Sequence, residues 1–210
     1  MPDAPALHTF LPARDAATPD TVLDGFLAWA AAAGLSLYPA QEQAILELFA
    51  GKHVILATPT GSGKSLVAYA LAARAVAEGK RLYYTAPIKA LASEKFFELC
   101  ALLGEREVGL ATGDAGVNTD APVVVCTAEI LAQLALRQGA DADVDYAVMD
   151  ELHYYGDPER GWAWQVPMLA LPQTQLLAMS ATVGDTTFFE TDLSERTGRA
   201  CVTVRSEDRP

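Results

Sequence analysis

The chain has 210 residues, 51% of them hydrophobic, and its 27 acidic side chains outnumber 15 basic ones for a formal net charge of −12. That apolar content suffices for a sizeable core in one large domain, and the acidic balance excludes a protein that grips nucleic acid through a broad basic surface, since such grip rests on Lys and Arg neutralising phosphates. No apolar run nears the ~20 residues of a membrane span, nothing at the start reads as a signal peptide, and three scattered cysteines (Cys100, Cys126, Cys201) suit neither a disulfide framework nor a metal cluster, so a cytoplasmic protein with reduced thiols is expected.

Residues 1–19, rich in Ala, Pro, Asp and Thr without a sustained period, are expected to form a mobile arm. Helical spacing runs from Thr21 to Ala33, with Asp20 as cap and Gly34 as stop. Pro39 opens a second helix that places Ala44, Ile45, Leu48 and Phe49 on one face. Strands are then predicted at Val54–Ala57, Arg81–Ala86, Val108–Ala111, Val123–Cys126, Ala147–Asp150, Gln175–Met179 and Ala200–Val204. Helices are predicted between them at Ser65–Glu78, Ala90–Leu103, Glu129–Arg137 and Thr186–Thr197. This alternation predicts an α/β fold, a mainly parallel sheet with helices on both faces. His53, just before the first strand, is expected at the surface.

Thr58-Pro59-Thr60-Gly61-Ser62-Gly63-Lys64-Ser65 stands between the first strand and a helix. A strand, a Gly-containing loop and a helix opening on Lys-Ser form the layout of a phosphate-binding loop, whose N–H groups and helix N-terminus face anionic oxygens. Thr60, Gly61, Ser62 and Gly63 would cradle phosphates, Lys64 would reach the terminal ones and Ser65 would offer a hydroxyl to magnesium. Thr58 replaces the first glycine of the strict pattern. Tyr146-Ala147-Val148-Met149 reads as a buried strand that delivers Asp150 and Glu151 to its carboxyl end. There Asp150 could hold the metal and Glu151 could act as general base on water.

These residues resemble the motifs of superfamily 2 helicases, with Asp150-Glu151-Leu152-His153 as the DExH box and Ser180-Ala181-Thr182 as the Ser-Ala-Thr motif. Tyr84 to Leu91, Thr112-Gly113-Asp114 and Cys126 to Leu131 are similar to the nucleic-acid-contacting motifs, in order. Arg160-Gly161-x-x-Trp164 after the DExH box is similar to the superkiller/exosome-associated branch, although that branch carries Glu where this chain has Gln165. The resemblance covers roughly residues 35 to 205 and implies a RecA-like P-loop NTPase domain over 20–205, with residues 206–210 starting a linker to an absent second RecA-like domain. It also implies ATP and magnesium as cofactors and single-stranded nucleic acid as partner, RNA before DNA. Gln41 would read the adenine edge and Tyr38 would offer an aromatic face. Pro87, Lys89, Gly113, Asp114, Thr127 and Glu129 would hold sugar and phosphate along one rim of the sheet. His153, hydrogen-bonded among Ser180 and Thr182, would couple hydrolysis to strand binding. Trp162 and Trp164 could stack on bases or pack a helix onto the sheet, and packing is the favoured reading.

The resemblance therefore implies an ATP-dependent DExH RNA helicase motor domain, incomplete without the arginine fingers of a second domain and slow to hydrolyse ATP alone. A DNA-unwinding repair helicase of the same branch and a non-catalytic nucleotide-binding scaffold are the alternatives. Intact Lys64, Asp150 and Glu151 speak against the scaffold.

Overall fold

A computed structural model describes residues 5–206. The strands are β1 (His53–Ala57), β2 (Leu82–Ala86), β3 (Val108–Ala111), β4 (Gly116–Val117), β5 (Val123–Thr127), β6 (Tyr146–Met149), β7 (Gln175–Ser180) and β8 (Cys201–Arg205). The helices are α1 (Pro19–Ala32), α2 (Pro39–Phe49), α3 (Lys64–Glu78), α4 (Lys89–Leu103), α5 (Ala128–Gln138), α6 (Trp162–Ala170) and α7 (Thr187–Thr197). The strands make one sheet in the order β4-β3-β5-β2-β6-β7-β1-β8. Every neighbouring pair runs parallel except β3 and β4.

Alternation along the strands assigns the helices to faces. Val54, Leu56, Leu82, Tyr84, Val125, Val148 and Met179 share a core with α1 to α4. The intervening Ile55, Cys126, Ala147, Met149 and Ala178 pack beneath α5, α6 and α7. Both faces of the central strands are thus covered, which is why Val123-Val124-Val125-Cys126 is continuously apolar. The three cysteines are free, and burial pushes the Cys126 and Cys201 thiols up to about 12.

Several local expectations are corrected. The expected arm is seated on the domain over residues 5–19, while residues 1–4 lie outside the described residues. Leu7 is fully buried in the core of the α1–α4 face, and the Trp29 indole N–H donates to the Pro5 carbonyl at 2.7 Å. Truncating Leu7 to Ala would cost about 2–5 kcal/mol. Thr18, not Asp20, caps α1: its hydroxyl accepts from the Thr21 N–H, the Thr21 hydroxyl accepts from the Thr18 N–H, and Pro19 fills the first helical position. His53 is wholly buried inside β1 instead of at the surface. Its Nδ1 accepts from the Leu176 N–H at 3.0 Å, which leaves the proton on Nε2 facing the Thr197 hydroxyl at 2.8 Å. Burial, helped by Arg199, holds this imidazole down to about 4. Short β4 was not anticipated, and α6 was expected only as a helix that the Trp162 and Trp164 pair would pack, without bounds. Of the expected linker, residues 207–210 lie outside the described residues.

Parallel strands end at a common rim, so the sheet order groups the loops that leave them. The ends of β6, β7 and β1 stand side by side, and so do those of β3, β5 and β2. The first trio carries the DExH box, the Ser-Ala-Thr motif and the phosphate loop. The second carries the residues expected to hold a nucleic-acid strand.

Candidate functional site

The phosphate loop spans residues 58–63 between β1 and α3. Gly63, the residue before α3, has φ 71°, and a Cβ there would stand 2.5 Å from the Gln41 side-chain nitrogen. The left-handed backbone favours glycine, and a Cβ would also push the Gln41 amide out of its place on the loop. Thr58, the departure from the strict motif, is buried and shares a 2.7 Å hydrogen bond with the Ser62 hydroxyl, closing the loop on itself. Lys64 Nζ donates to the Thr58 and Pro59 carbonyls at 2.9 and 3.0 Å. Burial lowers its pKa, and the charges of Glu151 and Asp150 oppose that effect. The lysine thus stands opposite the acidic pair.

Gln41 reaches the loop as expected, but with its amide engaged inside the protein. Nε2 donates to the Ser62 and Gly63 carbonyls at 2.9 and 3.1 Å, and Oε1 accepts from the Tyr38 N–H at 2.9 Å. The geometry ties the first turn of α2 to the loop. The Tyr38 ring is 46% exposed nearby in the chain.

Asp150 follows β6 directly. Burial raises its carboxyl above the ordinary range, adjacent Glu151 adds to this, and the Tyr84 hydroxyl donates to Oδ2 at 3.2 Å. Oδ1 accepts from the Glu151 N–H at 2.9 Å. Glu151 itself holds φ 53°, a left-handed conformation that costs a non-glycine residue about 1–3 kcal/mol and is retained where surrounding contacts enforce it. Its N–H is held by Asp150 and its carbonyl accepts from the Tyr154 N–H at 3.0 Å, and Arg160-Gly161-x-x-Trp164 braces those two neighbours. The Trp164 indole N–H donates to the Asp150 carbonyl at 2.9 Å, and the ring is fully buried against Tyr154. A Cβ on Gly161 would collide with the Tyr155 and Asp157 carbonyls at 2.5 and 2.6 Å. Arg160 lies over the Tyr154 and Trp164 rings, donates to the Glu129 carboxylate and reaches the Pro87 carbonyl. Trp164 is therefore a packing residue, as favoured, whereas Trp162 is 39% exposed. Gln165, at the departing position, donates to the Tyr155 carbonyl at 2.8 Å and steadies the same turn. The role of Arg160 was missed from sequence, where only its spacing to Trp164 gave a signal.

Pro87, Lys89, Gly113, Asp114, Thr127 and Glu129 all fall on the β2-β5-β3 half of the rim. Lys89 and Asp114 pair at 2.8 Å, and Thr112 also donates to Asp114 at 3.0 Å. Gly113 is exposed between them; Pro87 and Thr127 are buried at the ends of their strands, and Glu129 is held by Arg160. The expected coupling set is divided. Ser180 and Thr182 bond to each other, with the Thr182 N–H donating to the Ser180 hydroxyl at 3.3 Å, while His153 Nδ1 stands 3.1 Å from Glu151. No hydrogen bond joins His153 to Ser180 or Thr182 among the described residues. His153 and Thr182 instead share the wall of one shallow depression of about 220 Å³.

The family model for DEAD/DEAH box helicases matches residues 38–189. The chain belongs to the DEAD/DEAH box helicases. Among its relatives, the chloroplastic DExH-box ATP-dependent RNA helicase DExH15 of Arabidopsis thaliana is 40% identical over 153 residues, 69% of this chain and 13% of the relative. The probable helicase HelY of Mycobacterium tuberculosis is 37% identical over 177 residues, 83% of this chain and 19% of HelY. The chain thus spans less than a fifth of the length of either. The solved structure of the DUF1998 helicase MrfA bound to DNA and AMPPNP superposes with a TM-score of 0.63 at 23% identity, over 82% of this chain and 27% of MrfA. That likeness supports the RecA-like helicase fold.

Proposed function

We propose that this chain is the ATP-binding motor domain of an ATP-dependent DExH RNA helicase, completed by a second RecA-like domain. One observation carries the reading: the sheet order brings the loop after β1, with Lys64, and the end of β6, with Asp150 and Glu151, to one rim on either side of β7, where the two carboxylates act on the Lys64 charge. On this reading Lys64 leaves the Thr58 and Pro59 carbonyls for the terminal phosphates, and the loop N–H groups and the start of α3 take the others. Ser65 and Asp150 are oxygen donors of the kind magnesium takes beside phosphates, so the residues present fit that ion. Bound there, the metal would neutralise charge on the phosphates. Glu151 accepts a proton from the attacking water, with His153 orienting its carboxylate. Thr112 to Asp114, Pro87, Lys89, Thr127 and Glu129 form the strand-binding half, a polar edge suited to sugar and phosphate.

The RNA preference rests on relatives such as DExH15, which is named an RNA helicase. A cytoplasmic location fits the free cysteines. Calorimetry of magnesium–ADP binding tests the nucleotide site: Lys64→Ala should weaken affinity by about 10- to 100-fold, the worth of a charge-assisted contact, and equal affinity would remove the loop from the site. Comparing ATP turnover stimulated by single-stranded RNA and by DNA, with the second domain present, tests the substrate.

A further inference from the structure

Lys95, in the second turn of α4, lies outside the motif stretches named above. Its side chain is only 16% exposed. Nζ donates to the Glu98 carboxylate at 2.7 Å and to the Ser65 hydroxyl at 3.2 Å. The Tyr69 hydroxyl closes on the same Glu98 oxygen, and Lys95 lies over the Tyr69 ring. Its charge also reaches Asp150, where it opposes the effect of burial. An ammonium group from a different helix is therefore held on one of the two side chains that would ligate magnesium, and its charge acts on the other.

We propose that Lys95 is a positioning residue of the metal site, a resident cation that occupies the Ser65 hydroxyl until magnesium–nucleotide enters and then withdraws onto Glu98. The inference rests on the reading of this rim as a nucleotide site. Two cations cannot share the Ser65 oxygen without repulsion, and Glu98 offers Nζ a second partner that it already contacts, so the exchange leaves no charge unpaired. The lysine keeps the buried acidic corner balanced when no ion is bound and sets the magnesium concentration at which the site fills.

The test is a magnesium titration of the chain with N-methylanthraniloyl-ADP, read by fluorescence so that turnover plays no part. Lys95→Met and Lys95→Gln should each tighten the magnesium dissociation constant by about tenfold, with nucleotide affinity in the absence of magnesium changed far less. Lys95→Arg, which keeps the charge, should stay within about twofold of the wild type. Melting temperatures matched across the variants confirm that the fold is retained. Magnesium affinity unchanged or weakened in both neutral variants overturns the proposal while leaving the nucleotide site standing. A wild-type chain that fails to bind magnesium–ADP overturns the nucleotide reading, and the lysine's role with it.

Discussion

The two halves of the rim are built differently although parallel strands deliver both. Around β6, β7 and β1 the side chains are turned inward: Gln41, Thr58, Ser62 and Lys64 spend their polar atoms on the loop itself, and Trp164 holds the Asp150 carbonyl. Around β3, β5 and β2 Thr127 is buried and Glu129 is held by Arg160, but the Lys89–Asp114 pair faces outward, its side chains 57% and 68% exposed. On the proposed reading, the difference suits the first half to a small anionic ligand that meets preorganised groups, and the second to a longer one that meets an adaptable edge. Arg160 is the tie between them, since one guanidinium contacts Glu129, Pro87 and the rings that brace the DExH box.

The comparison breaks first at Glu151. Glu151→Gln should keep nucleotide affinity and lower residual turnover by about 10²–10⁴-fold, because an amide cannot accept the water's proton; single-turnover hydrolysis checks this, and equal turnover would assign the base elsewhere. Trp164→Ala should destabilise the chain by about 3–5 kcal/mol, measured by urea unfolding. That loss lies in the packing beneath the acid pair, so a mild effect would mean Asp150 is positioned without it.

The buried His53, at the end of β1 away from the rim, gives the domain as a whole an acid sensitivity. The folded protein keeps it neutral down to about pH 4, whereas the unfolded chain protonates it near 6.5. Stabilisation is thus complete above pH 6.5 and drains away as pH falls towards 4, by up to about 3 kcal/mol. Unfolding free energies over that range should show the slope, and His53→Gln should flatten it. The smallest effect belongs to the outward half. Lys89→Ala should change stability by no more than about 1 kcal/mol because its ion pair is exposed, yet weaken single-strand binding and reduce its salt dependence.

The sequence exposed the inward half well because a phosphate loop and an acidic strand end are defined by spacing, and spacing survives without coordinates. The sheet was legible for the same reason, from alternating strands and helices. Burial of polar groups was not. Nothing in Gly51-Lys52-His53 distinguishes a surface histidine from one whose Nδ1 accepts from a neighbouring strand. The bonds that the Gln41 amide makes inside the protein were hidden similarly, since the acceptors lie 21 and 22 residues away in sequence. The bounds of helix α6 escaped notice because Pro167 sits inside it and its first residues carry no side-chain cap. Leu7 and Phe10 gave no period from which a seated N-terminal segment could be read. His153 was placed correctly beside Glu151 in sequence, but its contact with that carboxylate, not with Ser180, depends on the left-handed turn at Glu151.

Hydrogen–deuterium exchange of the chain with each ligand in turn tests the division of the rim most directly. Magnesium–ADP should protect residues 58–66 and 150–152 while leaving 87–91, 112–115 and 127–130 unchanged, and single-stranded RNA should do the reverse. Protection of 58–66 by RNA alone, or of 112–115 by nucleotide alone, would contradict the assignment of one half to each ligand.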